Sequence, residues 1–241
     1  MSSVRQPTLR EVTRSTDPVI APAHDLLRRS FDKAELVGRG EWRESLRERE
    51  AGLWSDIRWH LVVAELGGSV IGAASGTYLG NVNTGVIGYL AVAASARRLG
   101  IGPRLRGRLR TLFQADARAI RREPLTAVIG EVRRDNPWLK TLVRRERVIA
   151  LDFAYYQPQL HENDHPVPLV LYYESLDRRR RRMPADLLRR LLYTTWRRVY
   201  RIARPMANRE FKRMVKTLAN RRSIGGLTPA DLPDLAASGS R

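Results

Sequence analysis

The chain has 241 residues and a mass of 27.5 kDa, and 43% of its residues are hydrophobic, enough to build a buried core and to argue against wholesale disorder. It has no Cys, which excludes disulfides, thiolate metal sites, iron–sulfur clusters and a Cys nucleophile, and His24, His60, His161 and His165 are scattered, so no metal is expected. The net charge of +19 is uneven: residues 1–177 carry 26 basic and 21 acidic groups, whereas 178–241 carry 18 and 4.

Only Lys33, Lys140, Lys212 and Lys216 among the 44 basic residues are Lys, the mark of a GC-rich genome, so weight falls on where the charge sits. No run approaches the roughly 18 apolar residues of a membrane span, and the first residues lack a signal peptide's apolar stretch. A cytoplasmic protein is expected.

In chain order, Pro7–Val12 reads as a strand. A helix is expected over Ile20–Leu36, with Ala23, Leu26, Leu27 and Phe31 apolar, and another over Glu41–Leu53, with Trp42, Leu46 and Leu53 on one side. Strands at 60–66 and 70–79, turned by Gly67-Gly68, read as a hairpin, and a third strand follows at 86–92. Leu105, Leu109, Leu112 and Phe113 place a helix from Pro103 to about Ile120. Then come a strand at 125–132, a helix at Asn136–Arg147, and strands at Ala150–Tyr156 and Pro168–Tyr173. Strands alternating with helices, with hairpins among them, predict an α/β fold with a mixed sheet.

The chemistry is concentrated where the strand ending at Val92 leads through Arg97-Arg98-Leu99-Gly100-Ile101-Gly102 into a helix. Two glycines one residue apart permit a sharp turn and close backbone approach. Amides of a first helical turn have no intrahelical partners and sit at the positive end of the dipole, which suits a phosphate. A tight turn without a ligand is the plainer alternative. A dinucleotide-binding loop would want a third glycine where Leu105 stands, and the Gly-Lys-Ser/Thr of a P-loop is absent.

Val92, then Arg97-x-x-Gly100-x-Gly102, then a helix, with a downstream strand through Val132 and Asn136 opening the next helix, resembles the GNAT superfamily of N-acetyltransferases. The resemblance covers residues 7–176 in element order and 86–137 in motifs. It implies a GNAT-like acyl-CoA N-acyltransferase fold at residues 1–177, and the uneven charge sets off residues 178–241 as a basic, mostly helical extension with a loose end. It also implies acetyl-CoA as co-substrate and an amine acceptor of unspecified identity. Amides of Arg97, Arg98, Leu99, Gly100, Ile101 and Gly102 would hold the pyrophosphate, the strand through Leu90 and Val92 would pair with the pantetheine arm, and an amide near Val92 would polarise the thioester carbonyl. Asn136 would position the cofactor near its sulfur.

The family's Tyr seven residues after this Asn, the acid for the departing thiolate, is Val143 here, and the usual Gly-Phe after the helix is Arg147-Val148. Glu131, near the end of an apolar strand, is the candidate base; pairing with Arg133 or Arg134 is the alternative. Tyr155 and Tyr156 are candidate acids, of which only one can face the cleft; Tyr155 is the one carried forward. The loop Thr77-Tyr78 through Asn81, Asn83 and Thr84 is a candidate acceptor lining, or simply a turn. A non-catalytic acyl-CoA-binding or interaction module is the rival reading.

In the tail, five arginines at 178–182 precede Leu188, Leu191, Leu192, Thr195, Trp196 and Val199 on one helical face, with arginines mostly elsewhere. A packed extension, on this domain or in a homodimer, is expected. A membrane-surface helix carrying Tyr193, Trp196 and Tyr200, or nucleic-acid contact, both through 178–220, are the alternatives.

Overall fold

The computed structural model describes residues 6–144, 147–162, 164–177 and 180–232. Its chain divides into two units, Met1–Leu125 and Thr126–Arg241. The first contains β1 (Thr8–Val12), α1 (Ile20–Arg28), α2 (Arg39–Glu50), β2 (Ile57–Leu66), β3 (Ser69–Leu79), β4 (Thr84–Val92) and α3 (Ile101–Asp116), the last extended by a π-helical turn at Ala117–Arg121. The strands form an antiparallel meander in the order β1-β2-β3-β4. Gly67 and Gly68 turn the β2–β3 hairpin with φ of +59° and +82°, angles that glycine adopts without strain.

Residue alternation sorts this sheet into two faces. Leu61, Val63 and Ala73 pack with Ile20, Leu27, Trp42 and Leu46 of α1 and α2. Gly72 and Gly76 face the other way, toward α3: a Cβ at Gly72 would lie 2.9 Å from Ile101, and one at Gly85 only 2.1 Å from the Phe113 ring. Small residues there let α3 lie directly on the strands. That contact fixes where its first turn points.

The helix expected over Ile20–Leu36 ends at Arg28, because the Ser30 hydroxyl takes the Leu26 carbonyl and a 3₁₀ turn follows at Lys33–Glu35. Leu53 is exposed rather than aligned with Trp42 and Leu46, since Gly52 at φ +64° ends the helical phase first.

The second unit contains β5 (Ala127–Val132), α4 (Pro137–Val143), β6 (Val148–Ala150), β7 (Tyr155–Gln157), β8 (Val167–Ser175), β9 (Met183–Pro184), α5 (Ala185–Thr194, continued by a π-helical turn at Thr195–Val199), α6 (Arg209–Ala219) and β10 (Ser223–Ile224). β8 pairs antiparallel with β5, β6 and β7, and β9 with β10. The strand expected at Ala150–Tyr156 is therefore two short ones. Between them Leu151 bridges to Gly226, and the Asp152 amide donates to the Gly225 carbonyl at 3.0 Å.

The charge boundary at Asp177 falls inside this unit. Leu188, Leu191, Leu192 and Trp196 of the α5 segment are buried, as are Phe211, Met214 and Leu218 of α6, and the Trp196 and Phe211 rings lie 5.0 Å apart. The Tyr156 amide donates to Met214 Sδ at 3.4 Å, and Arg134 to the Asp231 carbonyl at 2.7 Å. Part of the arginine run, Arg178 and Arg179, lies outside the described residues.

Candidate active site

In the first unit, β4 delivers the chain to the glycine loop. A register shift against β3 pairs Ser75 with Tyr89 but Gly76 with Ile87, so Gly88 is the extra residue of a bulge. The Ala93 amide donates to Ile71 of β3 at 2.8 Å. Main-chain groups alternate along an antiparallel strand, so Leu90 and Val92 direct theirs to the opposite edge. Their side chains meet the glycine loop: a Cβ on Gly102 would lie 3.8 Å from Leu90 and 3.9 Å from Val92. Tyr89 points the other way, donating to the Glu35 carbonyl at 2.9 Å and accepting from the Val37 amide at 3.0 Å.

Gly100 caps α3 in the left-handed region at φ +68°, and Arg98 is also left-handed at φ +71°. Arg97, Arg98, Leu99 and Gly100 are all exposed. The Arg97 and Leu99 amides turn inward to Ala94 and Ala96. Those of Gly100, Ile101 and Gly102 open the helix, where no preceding carbonyl can reach them. Pro103 stands at the third helical position, where it removes no hydrogen bond. Successive amides around left-handed residues at a dipole's positive end form an anion-binding concavity. Leu90, Val92, Gly100, Ile101 and Gly102 are thus gathered at one place.

In the second unit, Asn136 is exposed, and its Oδ1 accepts from the Trp138 amide at 2.9 Å, which makes it the N-cap of α4 with Pro137 behind it. Its Nδ2 is left to donate to a ligand. Val143 packs against the cluster of Val132, Leu139, Leu142 and Tyr172.

Glu131 is the centre of the polar geometry here. Tyr155 donates its hydroxyl to Glu131 Oε1, and Tyr200, in the turn closing the α5 segment, donates to Oε2. Tyr155 is buried; burial and the adjacent Glu131 charge push its phenol well above the usual tyrosine range. The Trp196 indole lies beside the same hydroxyl. Tyr155, a candidate acid in the sequence, is therefore placed with its proton committed to Glu131. Tyr156, next on the strand, is half-buried.

Sequence reasoning missed Tyr200 as a site residue, because it sits 69 positions from its partner in a segment legible only as a charged amphipathic helix. The loop considered as an acceptor lining is a turn instead. Tyr78, Asn83 and Thr84 are buried, with Tyr78 donating to Asn83 at 2.9 Å, Asn83 to the Pro124 carbonyl at 2.9 Å and Thr84 to the Val82 carbonyl at 2.8 Å. A groove of about 290 Å³ beside β7 is lined by Arg134, Asp152, Phe153, Tyr155, Tyr156 and Leu169, without Glu131 or Tyr200. Among the described residues there is no metal-holding group of three His, Asp or Glu, and no helix long and apolar enough to cross a membrane.

Residues 22–127 match the Acetyltransferase (GNAT) family. Among solved structures, a protein of Bacteroides thetaiotaomicron described as an acetyltransferase of the GNAT family superposes with a TM-score of 0.58 at 16% identity, over 81% of this chain and 99% of that one. An N-acetyltransferase from Staphylococcus aureus Mu50 gives 0.50 at 16% identity, over 71% and 99%. At such identities the likeness establishes the fold, a mixed α/β architecture. A search of curated proteins finds no significant match.

Proposed function

From the premise that the chain carries a GNAT-family acetyltransferase domain over residues 22–127, we propose that it moves an acetyl or short acyl group from acetyl-CoA to an amine by direct attack. Members of the family use acetyl-CoA. The observation that carries this reading is the left-handed Gly100 cap of α3 set over Leu90 and Val92, an anion cradle at the end of a strand with outward main-chain groups.

In this reading the amides of Gly100, Ile101 and Gly102 hold the pyrophosphate. Arg97 and Arg98 add positive charge beside it, with Leu99 at the loop's tip. Main-chain groups of Leu90 and Val92 pair with the pantetheine arm, and an amide near Val92 steadies negative charge developing on the thioester oxygen. By the resemblance, Asn136 would help to position the cofactor near its sulfur. Glu131, held by Tyr155 and Tyr200, takes the proton from the attacking amine. The two phenols fix the carboxylate's orientation and keep it hydrogen-bonded whether or not it carries charge. A thiolate of ordinary pKa leaves without a dedicated acid, which agrees with Val143 in place of the family's Tyr.

Calorimetric titration with acetyl-CoA tests the binding half: a folded sample that takes up no cofactor at millimolar concentration overturns it. Glu131→Gln is expected to lower kcat by about 10²–10⁴ with unchanged acetyl-CoA affinity, and Tyr200→Phe by roughly tenfold. Val143 also motivates the rival reading of a non-catalytic acyl-CoA-binding module. Binding without turnover over an amine panel, with Glu131→Gln indistinguishable from the parent, would establish that module instead.

A further inference from the structure

Residues 180–232 carry 15 basic and three acidic side chains. On α6, Arg209, Lys212, Arg213 and Lys216 stand at i, i+3, i+4 and i+7. They share an arc of about 100°, opposite the buried Phe211, Met214 and Leu218. All four are exposed, and none has an ion-pair or hydrogen-bond partner for its side chain among the described residues. On the α5 segment, Arg189, Arg190 and Arg197 form a second exposed row opposite Leu188, Leu191 and Leu192, and among the described residues Arg190 alone of the three reaches an acid, Asp186 at 3.5 Å. Tyr193 lies in that row, 45% exposed, its ring held edge-on by Phe211 of α6 at 6.2 Å. The two rows belong to adjacent helices, and the exposed aromatic ring lies in the α5 row.

We propose that these cations bind single-stranded nucleic acid without sequence preference, tracking the phosphates, with Tyr193 offering a stacking surface for a base. Charge complementarity calls for a polyanion. A bilayer is the lesser fit, because an interfacial helix inserts its apolar face, and here that face is consumed: Leu188, Leu191, Leu192, Trp196, Phe211, Met214 and Leu218 are buried inside the unit. Tyr193 and Met206 are the only large apolar side chains exposed among residues 180–232. Nothing in this inference depends on acyl transfer.

The test is fluorescence anisotropy of a labelled 20-nucleotide single-stranded RNA of mixed sequence with the full chain, between 50 and 200 mM salt. Five or six neutralised phosphates give a slope of log K on log salt of about −4, or roughly a 250-fold loss of affinity across that range. Changing Arg209, Lys212, Arg213 and Lys216 together to Gln should flatten the slope by about 3, with circular dichroism and acetyl-CoA binding unchanged. Tyr193→Ala should weaken binding by about 5–150-fold at an unaltered slope. No binding at 50 mM salt, or an unchanged slope in the folded Gln variant, overturns the proposal. So does tighter binding to phosphatidylserine vesicles than to the RNA. An unaffected Tyr193→Ala variant overturns the assignment to single strands.

Discussion

His60 is buried on β2 between two carboxylates: Nδ1 lies 2.7 Å from Glu11 Oε1 and Nε2 lies 2.6 Å from Asp116 Oδ2. Both ring nitrogens face acceptors, an arrangement that only the imidazolium satisfies fully. Arg49 donates to the same Glu11 oxygen and to the Trp59 carbonyl. The cluster thus fastens β1, β2, α2 and the end of α3. Burial opposes the imidazolium's charge, but the bonds to Asp116 and Glu11 outweigh it and the His60 pKa is raised. For Glu11, burial is likewise opposed by the bonds from His60 and Arg49, which bring its carboxyl down to about 2.

Replacing His60 by Leu removes two charge-assisted bonds of about 1.5–3 kcal/mol each and strips Asp116 of its imidazolium partner, offset in part by apolar packing. We expect a loss of about 3–5 kcal/mol at pH 5.5, equivalent to a fall in Tm of roughly 6–20 °C. The sign with pH follows from linkage. A raised His60 value means its contribution is complete below about 6.5 and declines as pH rises through the folded value. The lowered Glu11 value means its contribution is complete above 4.5 and is lost as pH falls toward about 2. The gap between parent and variant, measured by urea unfolding from pH 3 to pH 9.5, should therefore be widest between about 4.5 and 6.5. Equal stabilities at pH 5.5, or a gap that does not narrow above pH 6.5, would refute the charged-staple account.

Gly100→Asp should abolish acetyl-CoA binding in calorimetry while leaving the far-ultraviolet spectrum intact, because it sets a carboxylate beside the phosphates; normal affinity would show that the pyrophosphate lies elsewhere. Gly85→Ala should destabilise the first unit by about 1–3 kcal/mol, since the new methyl lies 2.1 Å from the Phe113 ring; this would register as a lower denaturant midpoint at unchanged slope. An unshifted midpoint would mean that α3 can move off the sheet at little cost.

Local rules made some of this fold legible in the sequence, and contacts distant in sequence decided the rest. The β2–β3 hairpin was readable because apolar strands and Gly67-Gly68 are neighbours, and the Gly100 loop because its glycines punctuate a strand and a helix. Glu131 and Tyr155 were readable as chemical types, and burial along β7 alternates, with Tyr155 and Gln157 buried and Tyr156 half-buried. The break at Asp152–Ala154 was not readable, since the groups that interrupt the strand, Gly225 and Gly226, lie more than 70 residues away. The end of α1 also escaped notice: no Gly or Pro marks it, only the Ser30 hydroxyl bonding backward.

The bond from Tyr200 to Glu131 also bears on biosynthesis. Sixty-nine residues separate the two, and at about 5–20 residues per second Tyr200 is polymerised roughly 3–14 s after Glu131. The β1–β4 meander within residues 6–125, whose pairings with one another need nothing made later, can settle during that interval. β5 and β8, by contrast, await α5, α6 and β10 before Tyr155, Met214 and Gly226 find their neighbours. A ribosome pausing between codons 156 and 199 would hold a chain in which Glu131 still lacks one of the two phenols that bond to it.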